Sequence, residues 1–408
     1  KLDSKYFAFA SNTKALIGRN DSEINHESLH YQFTLHSVVP APNTILQNVH
    51  KLEPGHSVKV MPNGKILKNK YYTLDDIKIN HNIKENEIIE ESERLLMSAI
   101  KKRFYTADVD VGVLLSGGLD SSLIVAMAAK SKLSKINTFS IGFPTINDEV
   151  GNEFYYSDMV SKQFNTNHYK YNISQDHLIE SLDNVIQEMP EPMFSQDSSA
   201  FYLLAKEVSK NQKVVLSGQG ADELFGGYFW YEKMNDTKGS DPERFIQHYF
   251  DRDQKDYSKT IKEKYVSNNY SQELIESLFQ KQREDIGYID KVLRIDLSTL
   301  IIDDPVKRID SMTMAHGLET RVPFLDINLV EFLSSIPSVE KLKNNGKYYL
   351  KKIAEKYLSK DLIYREKFYF PVPPLKILEG KFLDYVKGIL LSKSCIERGL
   401  YNREHISA

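Results

Sequence analysis

The chain has 408 residues, of which 41% are hydrophobic and 27% charged, with a net charge of −3. That length allows two domains and a sizeable core, and the near-neutral balance argues against a general nucleic-acid or membrane-surface binder. No apolar run approaches the ~18–20 residues of a membrane helix, and a single cysteine, Cys395, excludes internal disulfides and Cys-cluster zinc sites and reads as cytoplasmic. The chain opens at Lys1 rather than Met, which points to a missing or processed N-terminus.

Residues 1–75 read as β-rich. Tyr6-Phe7-Ala8-Phe9-Ala10 has strand composition, and apolar runs ending at Val60 and starting at Ile66 flank Pro62-Asn63-Gly64, a hairpin signal. Seventy-five residues are few for a free-standing sandwich, so this piece should complete a larger domain or pack on the next one. A helix is expected over 85–104, where Ile88, Leu95, Leu96, Ala99 and Ile100 form a stripe and Lys101-Lys102-Arg103 suit the C-terminal dipole. Asn82 or Asn86 would cap it. From residue 109 the pattern alternates: strand 109–115, helix 119–131, strand 136–143, helix 153–165, strand 167–173, helices 174–189 and 198–210, strand 213–217. The fold class is therefore α/β, with a doubly wound parallel sheet, whose ligands sit at the carboxyl ends of the strands. Residues 235–290 are polar and read as helical excursions with little chemistry. Residues 291–400 read as mostly helical.

Two Gly-rich turns fall at strand ends. The first is Ser116-Gly117-Gly118-Leu119-Asp120-Ser121-Ser122, between a buried-strand pattern and a helix. Such a turn aims backbone N–H groups and a helix N-terminus at one anion. Glycines let the backbone approach closely, and Ser116, Ser121 and Ser122 add hydroxyl donors. Asp120 would repel a phosphate unless Mg²⁺ lay between them, so it predicts a metal-bound nucleotide. With no Lys in the turn and no GxxxxGK[ST], this is not the P-loop of kinases. The second turn runs from Ser217-Gly218-Gln219-Gly220-Ala221-Asp222 to Gly226-Gly227-Tyr228. Asp222 paired with Asp120 could hold Mg²⁺ between phosphates; the alternative is a helix N-cap. Two further segments carry dense charge. In 308–326, Glu319, Arg321 and Asp326 suit a structural ion network that shapes a loop. In Tyr364-Arg365-Glu366-Lys367-Phe368-Tyr369-Phe370-Pro371, a cation on a loop suits a leaving phosphate or an adenylate, with a solvated charged loop as the alternative.

The first turn resembles the SGGxDS loop of ATP-pyrophosphatase enzymes. Together, SGGLDSS, SGQGADELFGGY, GLETRVPFLD and the late Arg-x-Lys loop resemble the synthetase domain of the asparagine synthetase family, over nearly the whole chain. Phe7-Ala8-Phe9-Ala10-Ser11 with Lys14-Ala15-Leu16 is similar to the tail of that family's glutaminase domain. The resemblance implies a β-rich remnant of an N-terminal-nucleophile glutaminase domain over 1–75 and an ATP-pyrophosphatase (Rossmann-like) synthetase domain with a helical C-terminal part over 76–408. It implies adenylation of a carboxylate by ATP, release of pyrophosphate, and amidation by ammonia derived from glutamine. It assigns Ser116, Gly117, Gly118, Asp120, Ser121 and Ser122 to pyrophosphate, Leu115, Ile141, Ser217 and Gly218 to adenosine, and Asp120 and Asp222 to Mg²⁺. Lys367, Asp222 and Gln219 fall at catalytic positions, and Gln196, Asp197 and Ser198 at substrate positions.

Three departures qualify that picture. The family's glutaminase nucleophile Cys is absent, so this chain alone should not hydrolyse glutamine; a missing glutaminase portion or a separate subunit would supply ammonia. Gln219 stands where the family carries Glu or Asp, and a neutral amide cannot take a proton from ammonia. No Arg lies near Gln196 to clamp an α-carboxylate, which puts aspartate in doubt. The combination EPM-x-S-x-D-x-x-AFYLL (191–204), SGQGADE (217–223) and YFPVPPLK (369–376) resembles more closely the N-acetylglutaminylglutamine amidotransferase branch, which implies that the acceptor is aspartate or a capped glutaminyl dipeptide. No nucleic acid or membrane partner is expected, and a homodimer is allowed. Competing readings are another pyrophosphate-loop ligase and a nucleotide-binding relic without turnover.

Overall fold

The structure is a computed structural model that describes residues 7–17, 23–131, 135–193, 195–367 and 372–407. Sequence motif positions Tyr6, Phe194, Phe368, Tyr369, Phe370 and Pro371 lie outside those residues. The N-terminal segment holds helix α1 (His26–Thr34) and a hairpin of β1 (His56–Val60) and β2 (Ile66–Lys70). The hairpin pairs antiparallel around the expected turn, with Val60 opposite Ile66. The β-rich expectation for the rest of 1–75 fails among the described residues. Residue Phe7 makes only an isolated bridge, and residues 26–34 are helical, capped by the Asn25 side chain, which accepts from the Ser28 N–H at 3.1 Å.

This segment has no core of its own. Leu35, Val38 and Val39 are fully buried against Tyr231, Phe245 and Leu293 of the later chain. Each such side chain contributes roughly 1.5–3 kcal/mol. The N-terminal piece and the remainder therefore share one hydrophobic cluster.

Helix α2 (Glu85–Tyr105) follows. Its N-cap is Lys84 without a side-chain cap, not Asn82 or Asn86; two glutamates in its first turn face the N-terminal dipole instead. Then strand and helix alternate: β3 (Val111–Leu114), α3 (Leu119–Lys130), β4 (Asn137–Gly142), α4 (Phe154–Phe164), β5 (Asn167–Asn172), α5 (Gln175–Glu188), α6 (Gln196–Val208), β6 (Val214–Leu216), α7 (Ala221–Phe225) and α8 (Phe229–Asp236). A fifth strand, β7 (Glu319–Arg321), lies inside the segment read as a loop. It is a polar edge strand with no apolar alternation, so no periodicity marked it. The sheet order is β5-β4-β3-β6-β7, and every pair is parallel.

That order fixes the site. From β3 the chain steps one way to β4 and β5, then returns to add β6 and β7 on the other side. The switch lies between β3 and β6, where the outgoing turns diverge and leave a crevice. The two Gly-rich turns are the turns that leave these two strands.

The ion network expected at 308–326 is present and ties this edge to α2. Arg321 pairs with Glu319 at 2.7 Å and donates to the Arg103 carbonyl at 2.5 Å, while Asp326 accepts from Arg103 at 2.9 Å. Among the described residues, no helix is long and apolar enough to cross a membrane. Cys395 is buried near the C-terminus beside Tyr401 and Leu390, away from the crevice.

Candidate active site

The first turn is held in shape by its own hydroxyls. Ser116 Oγ accepts from the Gly118 N–H at 3.2 Å, and Ser121 Oγ accepts from the Ser116 N–H at 3.3 Å. Gly117 has φ +87°, and a Cβ there would stand 2.9 Å from both Ser157 N and Tyr156 Cβ. Only glycine fits that conformation against α4. The Gly117 carbonyl accepts from Arg365 at 3.1 Å, and Arg365 also pairs with Glu153 at 2.5 Å. Arg365 is therefore a buried clamp on the turn and not the solvated charge that the sequence left open.

The second turn makes an equally tight bend. Gly220 has φ +89° and faces the Leu325 side chain. Its last residue leads into α7, whose N-cap is Gly220 with no side-chain cap. Asp222 is consequently no N-cap, and its carboxylate points elsewhere.

It points at Lys347, a residue that sequence reasoning missed. Lys347 Nζ lies 2.8 Å from both Asp120 oxygens and 2.9 Å from Asp222 Oδ1. Lys367 Nζ also donates to Asp222. Burial pushes the Asp120 carboxyl above the usual range, with the Asp222 charge adding and Lys347 opposing. Burial would raise Asp222 as well, but Lys347 and Lys367 outweigh it and hold that carboxyl at about 2. Lys347 is itself buried, yet the two carboxylates keep it firmly protonated. It follows Asn344, Asn345 and Gly346, and all four have positive φ. A left-handed lysine costs on the order of 1 kcal/mol; the Asn-Asn-Gly run before it was the available signal.

A cation thus already sits between the two acids. No group of three or more His, Cys, Asp or Glu that could hold a metal occurs among the described residues. Two carboxylates fit the donor set Mg²⁺ uses when phosphates supply the remaining ligands, and not a dedicated protein cage.

A cavity of about 180 Å³ opens over these turns. Of the residues predicted for nucleotide and catalysis, it is lined by Leu115, Ser116, Asp120, Ser121, Ile141, Ser217, Gly218, Gln219 and Asp222. Gly117 and Gly118 shape the turn without lining the cavity, and Ser122 is fully buried, its Oγ without a partner among the described residues. A larger cavity of about 810 Å³ adjoins it and shares Gln219 and Asp222. Lys367, Gln196 and Asp197 line the larger one. Ser198 lines neither and is fully buried. On α6 it lies about 200° round from Gln196, which turns it toward the core.

Sequence reading found no Arg near Gln196. The fold supplies one from the helix Lys307–Met314: Arg308 Nε stands 3.0 Å from Asp197, and Arg308 also pairs with Asp304. Two π-helical stretches, Asp296–Leu300 and Ile302–Val306, precede this helix and carry Asp296, Asp304 and Pro305 into the cavity wall. Such irregular turns re-aim side chains that a regular helix would place elsewhere. Glu223 and Asp296 also line the larger cavity. Burial, with Asp296 and Asp222 nearby, pushes Glu223 up to about 8; burial pushes Asp296 up to about 7, against the Tyr231 hydroxyl that donates to it.

A parallel sheet with two Gly-rich turns and paired carboxylates at its switch point defines an open α/β protein with a crevice where such sheets bind their ligands. The asparagine synthase family profile matches residues 91–408, and the glutamine amidotransferase domain profile matches residues 1–72. The chain belongs to the asparagine synthase family. It is 29% identical to asparagine synthetase [glutamine-hydrolyzing] 1 of Bacillus subtilis over 94% of this chain and 65% of that one. It is 34% identical to a putative asparagine synthetase of Methanocaldococcus jannaschii over 55% of this chain and 44% of that one. The human asparagine synthetase is 28% identical over 77% and 51%. The chain thus spans less than two-thirds of the length of these relatives. A solved NH3-dependent NAD synthetase from Campylobacter jejuni aligns over 50% of this chain at 14% identity, with a TM-score of 0.25, too low to build on.

Proposed function

We propose that the chain carries the synthetase site of an ATP-dependent amide-forming ligase. One observation supports this most: Asp120 and Asp222, from the two turns at the sheet's switch point, converge on one cation beside a second cavity that Lys367 lines. The acceptor carboxylate attacks the α-phosphorus of ATP; a C–O–P linkage forms and the Pα–O bond to pyrophosphate breaks. Ammonia then attacks the acyl carbon, the C–O bond to AMP breaks, and a proton leaves the nitrogen. Aspartate and a capped glutaminyl dipeptide are the acceptors that the family likeness offers, with ammonia free or derived from glutamine.

In this reading Ser116 and Ser121 line the pyrophosphate cradle whose shape Gly117 and Gly118 set, Ser122 is buried behind it, and Leu115, Ile141, Ser217 and Gly218 surround adenosine. Asp120 and Asp222 would hold Mg²⁺, which when bound would neutralise phosphate charge. Lys347 fixes the spacing of those two acids. Arg365 holds the Gly117 carbonyl and so the cradle's shape. Lys367 stabilises charge on the phosphates as the acyl-adenylate forms. Gln219 lies where the two cavities meet and orients the acceptor by hydrogen bonds; being neutral, it leaves the ammonia proton to another group.

The test is product identity. With Mg-ATP, ammonium and an acceptor acid, the reading requires AMP and pyrophosphate in equal amounts. ADP and phosphate would point to another ATP-dependent chemistry. Tight ATP binding with no product would favour the nucleotide-binding relic.

A further inference from the structure

The loop that carries Lys367 touches both Gly-rich turns within a very short stretch. Upstream of it, Leu362 and Ile363 are buried in the core. The chain then comes to the surface: Tyr364 is 47% exposed and the Lys367 side chain 42%. Between them Arg365 turns inward, with its side chain 9% exposed.

Three groups receive the Arg365 guanidinium. It donates to the Gly117 carbonyl at 3.1 Å, pairs with Glu153 at 2.5 Å and lies 4.1 Å from the centroid of the Tyr156 ring. Glu153 and Tyr156 belong to the start of α4, the same turn of helix that packs against Gly117. Glu153 also lines the smaller cavity beside Ser116 and Asp120, a position that no motif marked. A planar guanidinium makes two polar contacts and stacks on a ring at once, which an ammonium cannot do.

Lys367 makes its contacts on the other turn. Its Nζ donates to Asp222, lies 3.5 Å from the Gly227 carbonyl and stands 5.0 Å from the centroid of the Tyr228 ring. That ring is itself fixed. Its hydroxyl donates to Glu223 at 2.9 Å, and Trp230 stacks on it at 4.1 Å. Two residue steps of chain span at most about 7 Å, so the place where Arg365 docks limits where the Lys367 backbone can stand. An exposed lysine without such an anchor would lose more freedom on meeting a phosphate.

We infer that Arg365, seated on Glu153 and Tyr156, is a positioning residue that sets Lys367 against the phosphates. This rests on the ligase reading above. Ser116 and Ser121 hold the Gly117 turn by their own hydroxyls. Loss of Arg365 should therefore fall on the rate of the step that Lys367 serves, and much less on nucleotide binding.

A double-variant cycle on the full chain tests it. Pyrophosphate release is measured from Mg-ATP and ammonium, with aspartate and N-acetylglutaminylglutamine each as acceptor. Arg365→Lys should lower kcat roughly ten- to a hundredfold and change the KM for Mg-ATP less than about threefold. Tyr156→Leu, which leaves both polar contacts, should lower kcat about threefold. In a Lys367→Ala background each change should cost almost nothing further, because the group it positions is gone. Losses that multiply with that of Lys367→Ala would assign Arg365 to the turn alone and overturn the inference, as would a rise in KM for Mg-ATP that accounts for the whole effect. If Arg365→Lys does not fold, Tyr156→Leu with and without Lys367→Ala decides by the same criterion. Mg-ATP binding by calorimetry, with no pyrophosphate from the unaltered chain and either acceptor, overturns the ligase reading and this role with it.

Discussion

Lys347 Nζ stands 2.8 Å from both carboxylate oxygens of Asp120, a residue 227 positions earlier in the chain. The same ammonium lies 2.9 Å from Asp222, on a side chain that is only 8% exposed. Without it, Asp120 would lose its lysine and face Asp222 with only Lys367, on the Asp222 side, to offset the two charges.

Lys347→Met should therefore destabilise the protein. Removing one partner of a buried ion pair costs on the order of 3–5 kcal/mol, and two acids depend on this lysine. A Tm drop is expected in metal-free buffer, recovered in part by millimolar Mg²⁺. Calorimetric melting with and without Mg²⁺ checks it; an unchanged Tm in both buffers contradicts the bridging role.

Asp120→Asn and Asp222→Asn should each lower pyrophosphate release about 10²–10³-fold, the scale for losing a preorganised electrostatic contact. The fold should survive, because in either variant Lys347 keeps one charged acid and the Asn remains a hydrogen-bond acceptor for it. Near-full turnover in either variant would remove that residue from the metal site.

Lys367→Ala should reduce kcat by about 10²-fold while changing ATP affinity little, because its contact matters most as charge develops. Equal losses in kcat/KM and in ATP binding, with kcat retained, would mark Lys367 as a ground-state contact only.

Asp296 sets a pH dependence. Its carboxyl titrates near 3.8 when unfolded and at about 7 when folded, because of burial. Between these values the folded chain holds the extra proton, so this group's contribution falls as pH rises and the penalty is complete above about pH 7. Its ceiling is on the order of 4 kcal/mol at about 1.4 kcal/mol per pH unit. Asp296→Asn keeps an acceptor for the Tyr231 hydroxyl and should flatten the decline in stability between pH 4 and 7. Parallel denaturant curves for both proteins across that window would contradict the assignment.

The sequence made β3, β6 and their turns readable for a physical reason. Strands buried on both faces read as unbroken apolar runs, and each ends in glycines that the next bend requires. Strand β7 was hidden because Glu319-Thr320-Arg321 is a polar sheet edge. Helix α1 was hidden because its buried face mixes Ser28, His30 and Thr34 with Leu29 and Tyr31, which leaves no clear apolar stripe. The acids of the site were found because they sit within motifs. Lys347 and the Arg308–Asp197 pair were not, because each joins segments more than a hundred residues apart. The π-helical detour that aims Asp304 into the cavity has no periodic signature at all.

The most direct measurement follows an oxygen atom. With an acceptor carboxylate labelled with ¹⁸O, Mg-ATP and ammonium, the account requires one labelled oxygen to appear in AMP as the amide forms. Amide formed alongside unlabelled AMP, or with ADP and labelled phosphate instead, would contradict adenylation of the acceptor at this site.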